Sequence, residues 1–474
     1  MASLLNFLDD ILWESILIYF LLGYGLYLTL RTRFIQFRRW PEMFISLKRD
    51  TAADSRGISV WQALAVTLSG RIGIGSLTGV AMALTAGGPG AIFWMWAITL
   101  LGLPMSLVEN TLAQVFKTTD RQRHFRGGPS EYMSRGLGMR WMGVLFSLLM
   151  IVTLGLVFNA LQAQAVTHAL SRAYQFTPWH IAVALALLFS LVIFRGLKAI
   201  VRISVWLAPF MTISYLVLAL WVMAENVHQL PDVFLLIFRS AFGLQEFAAG
   251  AVGYGVTLAM TQGIQQGLFS NEAGSGSTPH VSALASMRHP ASAGFSQMLG
   301  VLIDTFVVCS ATAIIILSSG LLNTPASSTS GINVLELAVT ASVGQFGPQM
   351  VAIFVLAFGF TTMIANYMYA ENNLVFLQRG KTQSIPLLRL LMTAMLLGGC
   401  LISTPLLVQT ASISLAVITI INLTALLLLT GLALRVVKDY ERQRVMGRTP
   451  VFNPDHFPEL KGQLQADVWK DHEK

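Results

Sequence analysis

Residues Ser69-Gly70-Arg71-Ile72-Gly73-Ile74-Gly75-Ser76-Leu77-Thr78-Gly79 interrupt an apolar run from Ser59 to about Ala86, and no other stretch constrains the fold more. A run of that length is a membrane span. Inside it, each glycine weakens a helix by about 1 kcal/mol relative to alanine. An arginine at mid-bilayer costs about 2.5–3.5 kcal/mol even on the mild insertion scale. Backbone freed from a helix cannot face acyl chains, so it must sit against protein or a water-filled cavity. The segment predicts a broken helix that binds something.

The rest of the chain supports a membrane setting. Only 11% of its 474 residues are charged and 54% are hydrophobic, against about 25% charged in ordinary soluble proteins. Apolar segments near 11–30, 59–86, 91–115, 141–165, 180–200, 203–224, 250–285, 295–319, 347–376, 385–404 and 406–433 predict about eleven spans. All 31 lysines and arginines except Arg71, Arg172 and Arg239 fall on alternate connections of one side. That asymmetry places the N-terminus outside and the C-terminus in the cytoplasm. The net charge of +8 is therefore a topology signal and no mark of a nucleic-acid partner. Asp9 and Asp10 precede the first apolar run where a cleaved leader would be basic. Cys309 and Cys400, each inside an apolar run, read as core residues. The Ser/Thr/Gly-rich stretch 320–346 reads as an external loop. Residues 435–474 read as a cytoplasmic tail without a core of its own.

A second glycine-rich interruption, Thr261 to Gly276, opens the seventh segment as the first opens the second. With the first helix (11–30) set aside, spans 2–6 (59–224) and 7–11 (250–433) form two groups of five. Five being odd, the groups run in opposite directions. That is the pattern of an inverted-repeat transporter within one domain of residues 1–434, in which paired broken helices build a midplane site. Unwound carbonyls there hold a cation, and half-helix N-termini attract an anionic group. The competing reading is that the glycines permit close helix packing.

The motif Gly87-Gly88-Pro89-Gly90-Ala91-Ile92-Phe93-Trp94-Met95-Trp96, followed by Gly102, resembles the signature of the alanine/glycine:cation symporters. Phe269-Ser270-Asn271-Glu272-Ala273-Gly274, continuing to Gly276-Ser277, is similar to a second motif of that family, and Phe125-Arg126-Gly127-Gly128-Pro129 to a third. The resemblance covers the whole chain. It implies an all-α polytopic protein of LeuT-like fold that takes up a small neutral amino acid, usually with sodium. Ala97 departs from the first motif, where a larger aliphatic residue is usual, and two further departures lie where the ligand is expected. Ser76 stands where the family has asparagine, and Asn366 where it often has tryptophan, which should leave a roomier, more polar pocket.

Backbone groups of Gly70, Gly73 and Gly75 are the candidates for cation and ligand at the first break. Gly267, Phe269 and Ser270 are those of the second, with Phe269 read equally well as a packing aromatic. The resemblance implies substrate contacts for Ser76 and for Gln162. An interhelical hydrogen bond is the alternative for Gln162 and for its neighbour Gln164. Thr361 and Thr362 are adjacent hydroxyls on an otherwise apolar span, where back-bonding to the preceding turn is common. In LeuT-like folds such hydroxyls face the first broken helix across a sodium ion, so the expected cation set is Gly70, Gly73, Thr361 and Thr362. Thr362 also joins Asn366 on the substrate side. Depth along the membrane normal suggests that Arg71 pairs with Asp304.

The expected activity is alternating-access import of an alanine- or glycine-like amino acid with a cation, sodium or alternatively a proton, through a multi-pass protein of a bacterial inner membrane. No cofactor beyond the coupling ion is expected. A transporter of a different or larger neutral amino acid is the nearest alternative. A membrane-embedded enzyme or a pore is more remote, because neither a Gly-x-Ser-x-Gly nor a His-Glu-x-x-His arrangement occurs.

Overall fold

A computed structural model describes residues 2–49, 56–244, 249–321, 331–465 and 468–469. Lys470 and Lys474 of the expected tail and residues 322–330 of the expected external loop lie outside the described residues. The chain folds almost entirely into helices: α1 (Leu5–Arg31), α2 (Trp40–Arg49), α3 (Val60–Arg71), α4 (Gly75–Gly87), α5 (Gly90–Val115), α6 (Arg140–Tyr174) and α7 (Pro178–Ile193). They continue with α8 (Leu197–Glu225), α9 (Leu230–Ala241), α10 (Ala249–Asn271), α11 (Pro290–Ser318), α12 (Ile332–Val343), α13 (Gly347–Leu377), α14 (Ile385–Gly399) and α15 (Thr404–Val445). Two short antiparallel strands, Thr118–Thr119 and Phe125–Arg126, close a hairpin after α5. Among the described residues, seven helical segments are long and apolar enough to cross a membrane. The α3–α4 pair, bent by 50°, makes an eighth if counted as one span.

Three expectations need correction. The segment 250–285 is helical only to Asn271, so the second break lies at 272–278 and not over 261–276. Gly263 and Gly267 sit inside α10 because their bare Cα faces let it lie on α5. A Cβ at Gly263 would stand 2.3 Å from the carbonyl oxygen of Ala91, and one at Gly267 would stand 2.9 Å from the Ile98 side chain. The stretch 320–346, read as loop, contains α12, which packs on α13. The tail begins with three more turns of α15. It then lays Phe452, Phe457, Leu460, Val468 and Trp469 into buried positions on the face that carries the α5–α6 and α10–α11 connections.

That face is held by directional contacts. Phe452 N–H donates to Arg288 O at 2.9 Å. Gln465 pairs with Thr119 through both backbone and hydroxyl, at 3.0 and 2.8 Å. Trp469 Nε1 donates to Val115 O, while Lys117 lies between the Trp469 and Phe125 rings. The start of α3 and the far side of the second break are tied together as well. Ile58 N–H donates to Leu284 O, and Ile58 O accepts from Ser286 N–H. The first broken helix thus begins at the end of the molecule where the second finishes, and the two run in opposite directions.

Candidate functional site

α3 starts on a capping box, with Ser59 Oγ accepting from Gln62 N–H and Gln62 Oε1 accepting from Ser59 N–H. It runs as a regular helix to Arg71 and stops there. Residues 72–73 leave helical geometry, and the chain returns to it at Ile74 and enters α4 through a π-helical turn over Gly75–Gly79. Glycine is required where the break meets α13. A Cβ at Gly73 would stand 2.5 Å from Thr362 Oγ1, and one at Gly70 would stand 2.5 Å from Tyr369 Oη. Thr362 Oγ1 donates to Ser69 O at 3.0 Å. One side chain therefore touches both the last turn of α3 and the unwound residues.

The backbone donors freed at each break are claimed by side chains from neighbouring helices. Ile74 N–H donates to Gln162 Oε1 of α6 at 3.3 Å. At the second break, where Glu272, Gly274 and Gly276 all have positive φ, the Gly274 and Gly276 N–H groups donate to the two carboxylate oxygens of Glu109 on α5.

A cavity of about 720 Å³ opens beside these breaks, inside the roughly 300–1,000 Å³ of small-molecule sites. It reaches the face where Asn6, Asp9, Asn333, Thr404 and Gln409 lie. Of the residues expected from sequence, Gly70, Gly73, Gly75, Gln162, Phe269 and Thr362 line it. Phe269 also stacks on Phe158, with ring centroids 5.1 Å apart, so it is both a packing aromatic and a wall.

The other expected residues are placed elsewhere. Ser76 turns from the cavity toward Asp304 and Ser270. Gly267 faces α5. Thr361 back-bonds to Ala357 O and Phe358 O and meets Met211 of α8. Asn366 donates to Asn159 Oδ1 between α13 and α6.

Sequence reading missed several lining residues: Thr78, His168, Gln262, Gln265, Gln266 and Glu272. The glutamines had a readable signal. Positions 262, 265 and 266 share one face of a helix, and three amides on one face of a membrane helix need a polar surrounding. Glu272 lies inside a motif that had been noticed, yet nothing in its spacing showed that the helix would end there.

Arg71 is fully buried and is not paired with Asp304. Nε donates to Asn271 O at 3.0 Å, and Nη1 to Gln297 O and Oε1 at 3.2 and 3.1 Å. Nη2 donates to Thr278 Oγ1 at 3.1 Å and Ser106 Oγ at 3.5 Å. Every partner is a neutral oxygen, and three of the five belong to the second break or to α11. The guanidinium is the bracket that holds the second break against the first.

The model of the sodium:alanine symporter family matches residues 1–454. Among curated relatives, "Amino-acid carrier protein AlsT" of Bacillus subtilis (strain 168) is 39% identical over 100% of this chain and 98% of its own. "Putative sodium/proton-dependent alanine carrier protein YrbD" of the same organism is 36% identical over 99% and 98%. The crystal structure of MhsT in complex with L-phenylalanine superposes with a TM-score of 0.58 at 15% identity, covering 80% of this chain and 90% of that one. The fold is LeuT-like.

Proposed function

This chain belongs to the sodium:alanine symporter family, and from that premise we propose that it imports a small neutral amino acid together with sodium by alternating access. The observation that carries this reading is the contact of one threonine with a broken helix inside a cavity open to one face. Thr362 Oγ1 and Ser69 O lie 3.0 Å apart beside the unwound backbone of Gly73, two neutral oxygens of the ligand type hard cations prefer. The N-terminus of α4 borders the same space, with Ile74 and Gly75 at the cavity wall, and a helix dipole there favours a carboxylate. Gln162 occupies the Ile74 N–H in this structure and is displaced from it when a substrate carboxylate takes its place. Glu272 and Phe269 also line the cavity, suited to an ammonium group and a short side chain.

The open cavity and the start of α1 lie on the same face, which the distribution of lysines and arginines assigns to the outside. That assignment supports reading the cavity as the outward-facing entrance of an importer. The name of one relative, "Putative sodium/proton-dependent alanine carrier protein YrbD", keeps proton coupling as a second reading. Uptake of labelled L-alanine into proteoliposomes at clamped membrane potential separates the two. Sodium coupling requires accumulation with an inward sodium gradient and none with a proton gradient alone. Equal uptake with and without sodium overturns it, and failure of every small neutral amino acid to compete overturns the substrate class.

A further inference from the structure

Asp304 is fully buried on α11, in a π-helical turn spanning Ile303–Cys309. Ser76 is in the π-helical turn that starts α4. Such turns are frequent at functional sites. Three oxygen contacts link these residues with Ser270 of α10. Ser76 Oγ lies 2.6 Å from Asp304 Oδ1, Ser270 Oγ lies 2.7 Å from Asp304 Oδ2, and the two hydroxyls are 2.9 Å apart. Two serine hydroxyls bring two hydrogens to three contacts. With Asp304 ionised, both hydrogens point at the carboxylate, and the serine oxygens face each other with lone pairs only. A proton on Asp304 supplies the missing hydrogen and closes the ring.

The charges nearby lead to the same place. Arg71 interacts electrostatically with Glu109, Glu272 and Asp304, but its hydrogen bonds go to neutral oxygens, and among the described residues no cation forms an ion pair with Asp304. Fully ionised, these four groups carry two net negative charges in the membrane interior. A sodium ion at Ser69 and Thr362 offsets one, and a proton on one of the three carboxyls offsets the other; the hydrogen missing from the serine ring places it on Asp304. Thr305 and Cys309 of α11 complete the surroundings, with Tyr215 of α8 and Tyr369 of α13 the remaining titratable groups in the neighbourhood.

We propose that Asp304, clasped by Ser76 and Ser270, is a proton-binding site that joins the two broken helices. The proposal rests on the symporter reading and adds a protonation to it. Protonated Asp304 donates into the serine ring and ties α4 to α10. Release of that proton to water leaves the carboxylate and removes the hydrogen between the two serines, freeing the helices to part.

Two readouts test it on the full-length protein in proteoliposomes. The first is sodium-driven uptake of L-alanine at clamped potential across pH. Wild-type uptake is expected to change about tenfold over about three pH units. Asp304→Asn, whose amide is neutral and can donate at every pH, is expected to transport without that dependence. The second is the infrared difference band of a protonated carboxylic acid between high and low pH, expected in the wild type and smaller by the Asp304 component in Asp304→Asn, since Glu109 and Glu272 are buried carboxyls too. Ser76→Ala, which removes one partner, should shift the midpoint of both wild-type readouts by about one pH unit. An unchanged pH profile in Asp304→Asn, or a wild type without the band, overturns the proposal. If Asp304→Asn does not fold, the wild-type and Ser76→Ala infrared titrations decide. Absence of sodium-driven uptake in the wild type at all pH values would count against the symporter reading, while the infrared titration still judges Asp304.

Discussion

Gly73 and Thr362 show how little room the first break leaves. The hydroxyl that approaches the glycine also donates to Ser69 O, so a methyl group at 73 must push Thr362 off the break. Gly73→Ala is expected to lower the apparent sodium affinity in transport assays by about tenfold or more, while expression and thermal stability change far less. An unaltered sodium dependence would remove Thr362 and the break from the cation site.

Glycine at these positions could be read from sequence because bare backbone in a membrane has few uses. The direction in which Ser76 points could not. Its depth follows from helical rise, but its rotation about the axis depends on the π-helical turn at Gly75–Gly79. That turn shifts the phase of everything after it, and Ser76 finishes against Asp304 instead of the cavity. Thr361 and Thr362 are the counter-case. Adjacent residues on a regular helix differ by about 100° in direction, so only one of the pair could meet the break.

At the scale of elements, the second break is held by borrowed partners. Glu109 takes its N–H groups and Arg71 takes the carbonyl of Asn271. The planar guanidinium reaches α10, α11 and α5 at once, which an ammonium on a flexible stem cannot do. Arg71→Lys is therefore expected to reduce the maximal transport rate at least tenfold with the protein still inserted. A lysine variant with wild-type rates would show that charge alone suffices. The pairing of Arg71 with Asp304 was a reasonable expectation because sequence gives depth. Lateral neighbours depend on how helices pack, which hydropathy does not record. The glycines of α10 were misleading for a related reason, since a glycine that opens a break and one that admits a neighbouring helix look the same in a sequence.

For the whole molecule, hydropathy and the placement of basic residues gave the helical segments and their order. What escaped were elements whose stability comes from docking: α9, α12 and the tail. The tail's anchor is sensitive to acid. His289 caps α11, with Nδ1 accepting from Ala291 N–H and Nε2 beside Asp439 Oδ2 at 3.2 Å. Burial outweighs the pull of Asp439 and holds this imidazole below its ordinary value of 6.5. The folded form therefore binds fewer protons than the unfolded one between the two values. The stability contributed is intact above 6.5 and is lost as pH falls from there toward the folded value. Because Phe452 packs edge-on against His289, acidification to about pH 5.5 is expected to speed proteolysis of the tail roughly fivefold, or about 1 kcal/mol. His289→Gln should be indifferent to that change. Equal cleavage of the wild type at both pH values would dissociate the histidine from the tail.

The docked tail also bears on how such a protein can be watched. Asn6 and Asp9 stand at the mouth of the cavity, and Trp469 is inserted beside the hairpin on the opposite face. A fluorescent reporter or purification handle fused at either end would press on a working part, one on the substrate entrance and the other on the tail's seat. The turn between α7 and α8 offers a quieter place at Arg195, which is exposed, next to Gly196, whose φ of +78° keeps that position for glycine. Rates measured on end-tagged protein are best checked against a version labelled there.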